Sequence, residues 1–156
     1  MQNRESTRSL SLKNIAEMLS TCAHLGYIPG PTGTYGSLFA IPLVIISEHY
    51  HIKELVLLLI IPLAIWSSHK MAEAVGLDDP SEIIVDEVAG IFVTFFFIRL
   101  SIGILFSGFI LFRIFDIFKP YPIRQLEKNL RGGISIVIDD VAAGLYSNMA
   151  LRLFFY

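Results

Sequence analysis

One cysteine, Cys22, is all the thiol that the 156 residues contain, which excludes an internal disulfide and any cluster of cysteine metal ligands. Charge is scarce too, at 17% of residues, where an average soluble domain has about 25%. Neither sign dominates, because 12 Lys and Arg stand against 14 Asp and Glu for a net charge of −2. Without a basic field there is no reason to expect nucleic acid as a partner. The first fourteen residues carry Arg4, Arg8 and Lys13 and lack the apolar stretch and cleavage site of a secretory signal, so no signal peptide is expected. What the chain does have is apolar surface: 54% of residues are hydrophobic and the mean hydropathy is +0.63. This length makes one domain, residues 1–156, with the first ten expected to be flexible. The composition places it in or on a membrane, and a single thiol gives no hint of an oxidising compartment.

Leu12, Ile15, Met18, Leu19 and Cys22 recur at helical spacing and predict an amphipathic helix lying on the membrane surface or the bundle. His24–Gly36 holds four Gly and two Pro in thirteen residues and reads as a loop. Two apolar runs follow, Leu38–Ile46 and Leu55–Trp66. Each is shorter than the ~18–20 residues of a full span, so they form either two spans or a hairpin turning at His51. Residues 68–82 are polar and end in a turn signal, Asp78-Asp79-Pro80-Ser81-Glu82. The stretch Ile91–Phe112 is 22 residues long with one charge, Arg99; it is the best span by count, or else Arg99-Leu100-Ser101 is a second hairpin tip. Pro120 and Pro122 stop that helix, a short helix covers Ile123–Leu130, and Ile136–Phe155 makes the last one. The reading is all-α: a compact bundle of about six helices, membrane-embedded or membrane-associated. The β-branched stretches 83–85 and 135–138 leave short strands as the alternative.

Carboxylates inside apolar sequence are expensive unless they are paired. Two such segments resemble each other, Ile84-Val85-Asp86-Glu87-Val88-Ala89-Gly90 and Ile138-Asp139-Asp140-Val141-Ala142-Ala143-Gly144. In a helix Asp86 shares a face with Gly90 and Asp140 with Gly144, and small residues let two helices approach closely. Four carboxylates then converge, and hard oxygen ligands select Mg²⁺ or Mn²⁺. The alternative for either pair alone is a helix-start acid set against the helix dipole. Arg113, Asp116 and Lys119 lie along one helix end, with Arg124 beyond the proline turn; these are phosphate-binding groups, or merely the basic residues usual at a helix C-terminus. Gly30-Pro31-Thr32-Gly33-Thr34-Tyr35-Gly36-Ser37, with glycines three apart and two threonine hydroxyls, leads into a helix and makes a candidate phosphate cradle, although no lysine completes a Walker loop. His24 opens that loop as a candidate proton donor or hydrogen-bond partner.

Taken together, PGPTGTYGSL (29–38), IVDEVAG (84–90), FRIFDIFKPYPI (112–123) and GGISIVIDDVAAG (132–144), in that order, resemble the phosphatidylglycerophosphatase A family. The resemblance implies an all-helical Mg²⁺-dependent enzyme, with Mn²⁺ as a possible substitute, that removes the terminal phosphate of phosphatidylglycerophosphate to give phosphatidylglycerol. It implies residence in the lipid bilayer of the bacterial inner membrane, and the Lys/Arg-bearing segments 4–13 and 113–131 place the site on the cytoplasmic face. The family's motif residues fall on Thr32, Gly33, Thr34, Asp86, Glu87, Asp116, Lys119, Pro120, Asp139 and Asp140. On this reading Asp86, Glu87, Asp139 and Asp140 hold metal, and Asp116 completes the shell or acts as base. Catalysis then falls to Glu87, Asp116, Asp139 and Asp140, with Thr32, Gly33, Thr34, Lys119, Arg124 and His24 on the substrate.

Other phosphatase routes lack their residues. The sixth residue after Cys22 is Ile28 rather than arginine, no D-x-D occurs, and no Ser-Gly-His element is present. Two rivals stay open: a non-catalytic membrane or scaffold protein whose buried acids and bases pair with each other, and a phosphatidyltransferase, whose D-G-x2-A-R signature is missing.

Overall fold

The structure, a computed structural model, describes residues 12–155, with the side chains of 127–129 excepted; the expected flexibility of the first ten residues lies outside that range. Seven α-helices are described, and no strand occurs among the described residues. They are α1 (12–20), α2 (Thr32–His49), α3 (Lys53–Val75), α4 (Val85–Thr94), α5 (Ile102–Phe118), α6 (Ile123–Asn129) and α7 (Gly133–Phe155), with a single 3-10 turn at Leu25–Tyr27.

The chain does turn at His51, between α2 and α3, where His51 takes a left-handed conformation (φ 56°); such a turn suits the helical hairpin and the pair of spans alike. Beyond it α3 runs through the polar residues to Val75 and stops at Gly76, whose φ of 76° suits a glycine cap. The Ile91–Phe112 stretch is not one span. It breaks after Thr94 and restarts when Ser101 caps α5 by accepting a hydrogen bond from the Ile104 N–H at 3.3 Å. Arg99 is therefore at the exposed tip of a second hairpin, the alternative that the sequence offered, and the break adds the seventh helix.

α4 is the central element, buried along Val88–Thr94 and packed on α7, α2 and α3. Its crossing with α7 is glycine on glycine: a Cβ at Gly144 would land on the carbonyl oxygen of Gly90, and a Cβ at Gly90 would lie 2.8 Å from the Asp140 carbonyl oxygen. That contact sets Asp86 and Glu87 beside Asp139 and Asp140. The opposite end of the bundle is tied together by side-chain donors. Lys53, 2% exposed, donates to the Ile98 carbonyl at 2.8 Å and pairs with Glu48 at 2.8 Å. Asn148 donates to the Thr94 and Phe96 carbonyls at 3.0 and 2.9 Å, and Arg152 to Phe96 at 3.0 Å. These donors satisfy carbonyls that the end of α4 leaves without helical partners.

The outer surface is that of a membrane protein. Leu58, Ile102 and Leu153 are 71, 88 and 79% exposed, and α3 and α7 are each long and apolar enough to cross a bilayer. On α1, Ala16 and Ser20 point inward while Leu12, Ile15 and Met18 stay about half exposed, so its apolar stripe lies on the outside.

Candidate active site

Asp86 and Glu87 occupy the first turn of α4, where the helix dipole favours negative charge. Asp139 and Asp140 lie about two turns into α7, roughly 10 Å from its start at 1.5 Å per residue. From α5 come Arg113 and Asp116, three residues apart on one face, and Lys119 at its C-cap. Lys119 has a left-handed backbone (φ 42°) and its N–H bonds the Phe115 carbonyl at 2.9 Å, which turns its side chain back towards the acids.

One oxygen each from Asp86, Glu87 and Asp140 lie within 4.8 Å of one another, and the same holds for Asp116, Asp139 and Asp140. Asp140, 3% exposed, belongs to both sets. Asp86 Oδ1, Glu87 Oε2 and Asp140 Oδ2 are buried with no hydrogen-bond donor. Burial, and then the neighbouring Asp140 charge, push Glu87 up to about 8, while burial and the Glu87 charge raise Asp86. Buried carboxylates with orphaned oxygens at this spacing fit a hard divalent cation, which prefers oxygen ligands. The basic groups are close by: Lys119 Nζ stands 2.6 Å from Asp139 Oδ2, and Arg113 Nη1 stands 2.8 Å from Asp116 Oδ2 and 3.4 Å from Ser37 Oγ.

The start of α2 closes the site. A Cβ on Gly33 would fall on Glu87 Oε1 and lie 3.1 Å from Arg113 Nη1, and one on Gly36 would lie 3.1 Å from Glu87 Oε2. The sequence reading placed Thr32–Gly36 in a loop, but the helix begins at Thr32, behind Pro31. That start puts Gly33, Gly36 and Ser37 on the face turned to Glu87 and Arg113. Thr32 and Thr34 flank it, about 100° to either side.

The structure thus brings together Gly33, Asp86, Glu87, Asp116, Lys119, Asp139 and Asp140. Arg113, which the sequence offered as the helix partner of Asp116, joins them through Ser37. The other two substrate candidates lie elsewhere: Arg124 is exposed and donates to the Phe118 carbonyl at 3.3 Å, and the exposed His24 ring stacks on Tyr27 at 5.8 Å. Gly36 and Ser37 lay within the candidate phosphate cradle, but as loop residues; the spacing of Gly33, Gly36 and Ser37 behind a proline that marks a helix start was the signal that they share a helix face.

Cys22 is buried, and burial followed by the Asp86 and Glu87 charges push its thiol up to about 12. A protonated thiol is a poor nucleophile. Cys22→Ser is expected to keep turnover within a few-fold of wild type, and a folded but inactive variant in a steady-state assay would reopen a covalent route.

A family model described as Phosphatidylglycerophosphatase A matches residues 18–155. Phosphatidylglycerophosphatase A of Escherichia coli (strain K12) is 33% identical over 141 residues, covering 88% of this chain and 82% of that protein. The protein of the same name from Haemophilus influenzae is 33% identical over 151 residues, covering 94% and 93%. A Bacteroides thetaiotaomicron protein, named as a candidate phosphatidylinositol-3-phosphatase, is 33% identical over 133 residues, covering 78% and 82%. No solved structure matches.

Proposed function

The chain belongs to the phosphatidylglycerophosphatase A family, and from that premise we propose that it hydrolyses phosphatidylglycerophosphate to phosphatidylglycerol and phosphate with Mg²⁺-activated water, as a step of phospholipid synthesis. The observation that carries this reading is the trio of buried, orphaned oxygens from Asp86, Glu87 and Asp140 next to Lys119 and Arg113. Mg²⁺ or Mn²⁺ held by Asp86, Glu87 and Asp140, with Asp139 beside them, supplies charge neutralisation and a water of lowered pKa.

The chain's own residues do the rest. Arg113 presents a planar fork to the phosphate oxygens, and Lys119 adds a point charge beside it. Both face the charge that develops on the transferring phosphoryl group. The start of α2, with its N–H groups and no side chain at Gly33, admits the phosphate close to the backbone. Asp116, steadied by Arg113, accepts the proton of the attacking water. The acyl chains stay in lipid against the apolar outer helices. Lys13, Lys70, Arg113, Lys119, Arg124 and Arg131 belong to segments at the site's end of the bundle, which supports a cytoplasmic orientation in the inner membrane.

The test is phosphate release from phosphatidylglycerophosphate in mixed micelles by the purified chain. Turnover is expected to vanish in excess EDTA and return with Mg²⁺ or Mn²⁺; equal turnover in EDTA refutes the metal. No phosphate release in any condition favours the scaffold or phosphatidyltransferase readings. Phosphatidylinositol 3-phosphate belongs in the same assay, since a phosphomonoester on a glycerolipid is common to both substrates that the relatives' names give. Arg113→Ala is expected to lower kcat/KM by roughly ten- to a hundred-fold, the equivalent of ~1.5–3 kcal/mol for a charge-assisted contact. Arg124→Ala, which removes only an exposed bond to a carbonyl, is expected to do less. The reverse order of effects would move the phosphate to the α6 side.

A further inference from the structure

Resting on the metal reading above, we propose that the site takes one divalent cation per chain, held by Asp86, Glu87 and Asp140, and that the second carboxylate trio, Asp116, Asp139 and Asp140, is filled by the protein's own cations, Lys119 and Arg113. Both trios have oxygens spaced closely enough for a metal ion. Geometry alone therefore allows two ions bridged by Asp140, and charge decides between them.

In the second trio two of three carboxylates already have a positive partner: Lys119 Nζ is 2.6 Å from Asp139 Oδ2, and Arg113 Nη1 is 2.8 Å from Asp116 Oδ2. Buried oxygens without a donor occur in both, on Asp86, Glu87 and Asp140 in the first and on Asp139 and the shared Asp140 in the second, so the positive partners are what separate the two trios. Among the described residues no ammonium or guanidinium is ion-paired with Asp86, Glu87 or Asp140. Asp140, more than nine-tenths buried, has an orphaned Oδ2 and belongs to this trio as well as the second. An uncompensated buried charge is what a cation relieves most, whereas a dication entering the second trio meets two fixed positive groups at contact range.

Lys119 cannot drift away cheaply. Its left-handed backbone and its N–H bond to Phe115 fix where the side chain starts, and Pro120 follows at once. The ammonium thus stands where a second metal would, neutralising Asp139. Such a site needs to recruit only one ion, and its second positive charge is covalently attached.

The experiment is a Mn²⁺ titration of the full-length protein in detergent without substrate, with free Mn²⁺ read by electron paramagnetic resonance and Mg²⁺ as competitor. Wild type is expected to bind one ion per chain. Lys119→Met is expected to bind two, the added one more weakly, because its trio has lost an attached charge. Two ions of similar affinity in wild type overturn the proposal, and so does a folded Lys119→Met that still binds one. If Lys119→Met does not fold, the wild-type count decides alone: one supports, two overturns. No bound ion in wild type refutes the metal reading itself, a result distinct from a count of two.

Discussion

Asp140→Asn is expected to abolish most turnover, by roughly 10²–10³-fold, while leaving the melting temperature unchanged or slightly higher. Asparagine keeps the volume and the helix, so packing at this buried position is nearly preserved. What disappears is the charge shared by both carboxylate trios. Several kcal/mol of transition-state stabilisation depend on a correctly held metal, and each 1.36 kcal/mol is tenfold in rate. Stability moves the other way, because one of several like charges crowded out of water has been removed. Activity should return partly at high Mg²⁺. Glu82→Gln, outside the cluster, is the control and should change little. Wild-type activity at the wild-type magnesium midpoint in Asp140→Asn would remove the ligand assignment; a large loss of melting temperature with unchanged magnesium dependence would show a structural role instead.

Gly144→Ala is expected to damage both the fold and the site. The added methyl meets the Gly90 carbonyl oxygen and lies 2.9 Å from Val93 Cβ, so the α4 backbone has to move. Overpacking of this kind costs about 1–3 kcal/mol, and a backbone neighbour that cannot rotate aside puts the cost near the top of that range. A loss of roughly 6–12 °C in melting temperature follows for a chain of this size. Turnover should fall further than the folded fraction does, because spreading the two helices parts Asp86 and Glu87 from Asp139 and Asp140. Gly103→Ala is the comparison: a Cβ there meets nothing within 4 Å, and exchanging a helical glycine for alanine gains about 0.5–1 kcal/mol. Equal melting temperatures for the two variants would mean that the helix crossing is not held by backbone contact.

The sequence showed the acidic pairs because charge in apolar sequence is costly and therefore conspicuous, and it showed the turn at His51 because that segment is polar. The second hairpin was legible only as the alternative to a single span. Phe95, Phe96 and Phe97 carry the apolar run straight through the turn, and the only stop signals are Arg99 and the capping Ser101. Within the site, the pairing of Arg113 with Asp116 was legible from helical spacing. Its reach to Ser37, 76 residues away in sequence, depends on how α2 and α5 meet, which no local pattern encodes. The role of Gly33 was half visible. A glycine beside threonines suggested a phosphate loop, but only the helix start at Thr32 turns that glycine, rather than the hydroxyls, towards Glu87. Arg124 and His24 drew attention by proximity in sequence, and the chain carries both outward.

Four carboxylates set among apolar helices raise the question of permeability. A bundle open at both ends would offer cations and protons a stepped route across the bilayer, and a lipid enzyme with such a leak would drain the gradients of its own cell. The opposite end of the bundle is built differently. Beyond the acids Phe92 in α4 and Phe95 at its C-cap are both fully buried, and Lys53 and Arg152 are each tied to carbonyls of the second hairpin tip. Lys53 is neutralised there by Glu48, so this end presents a closed ion pair where the other presents uncompensated acids, and the buried rings of Phe92 and Phe95 stand between the two.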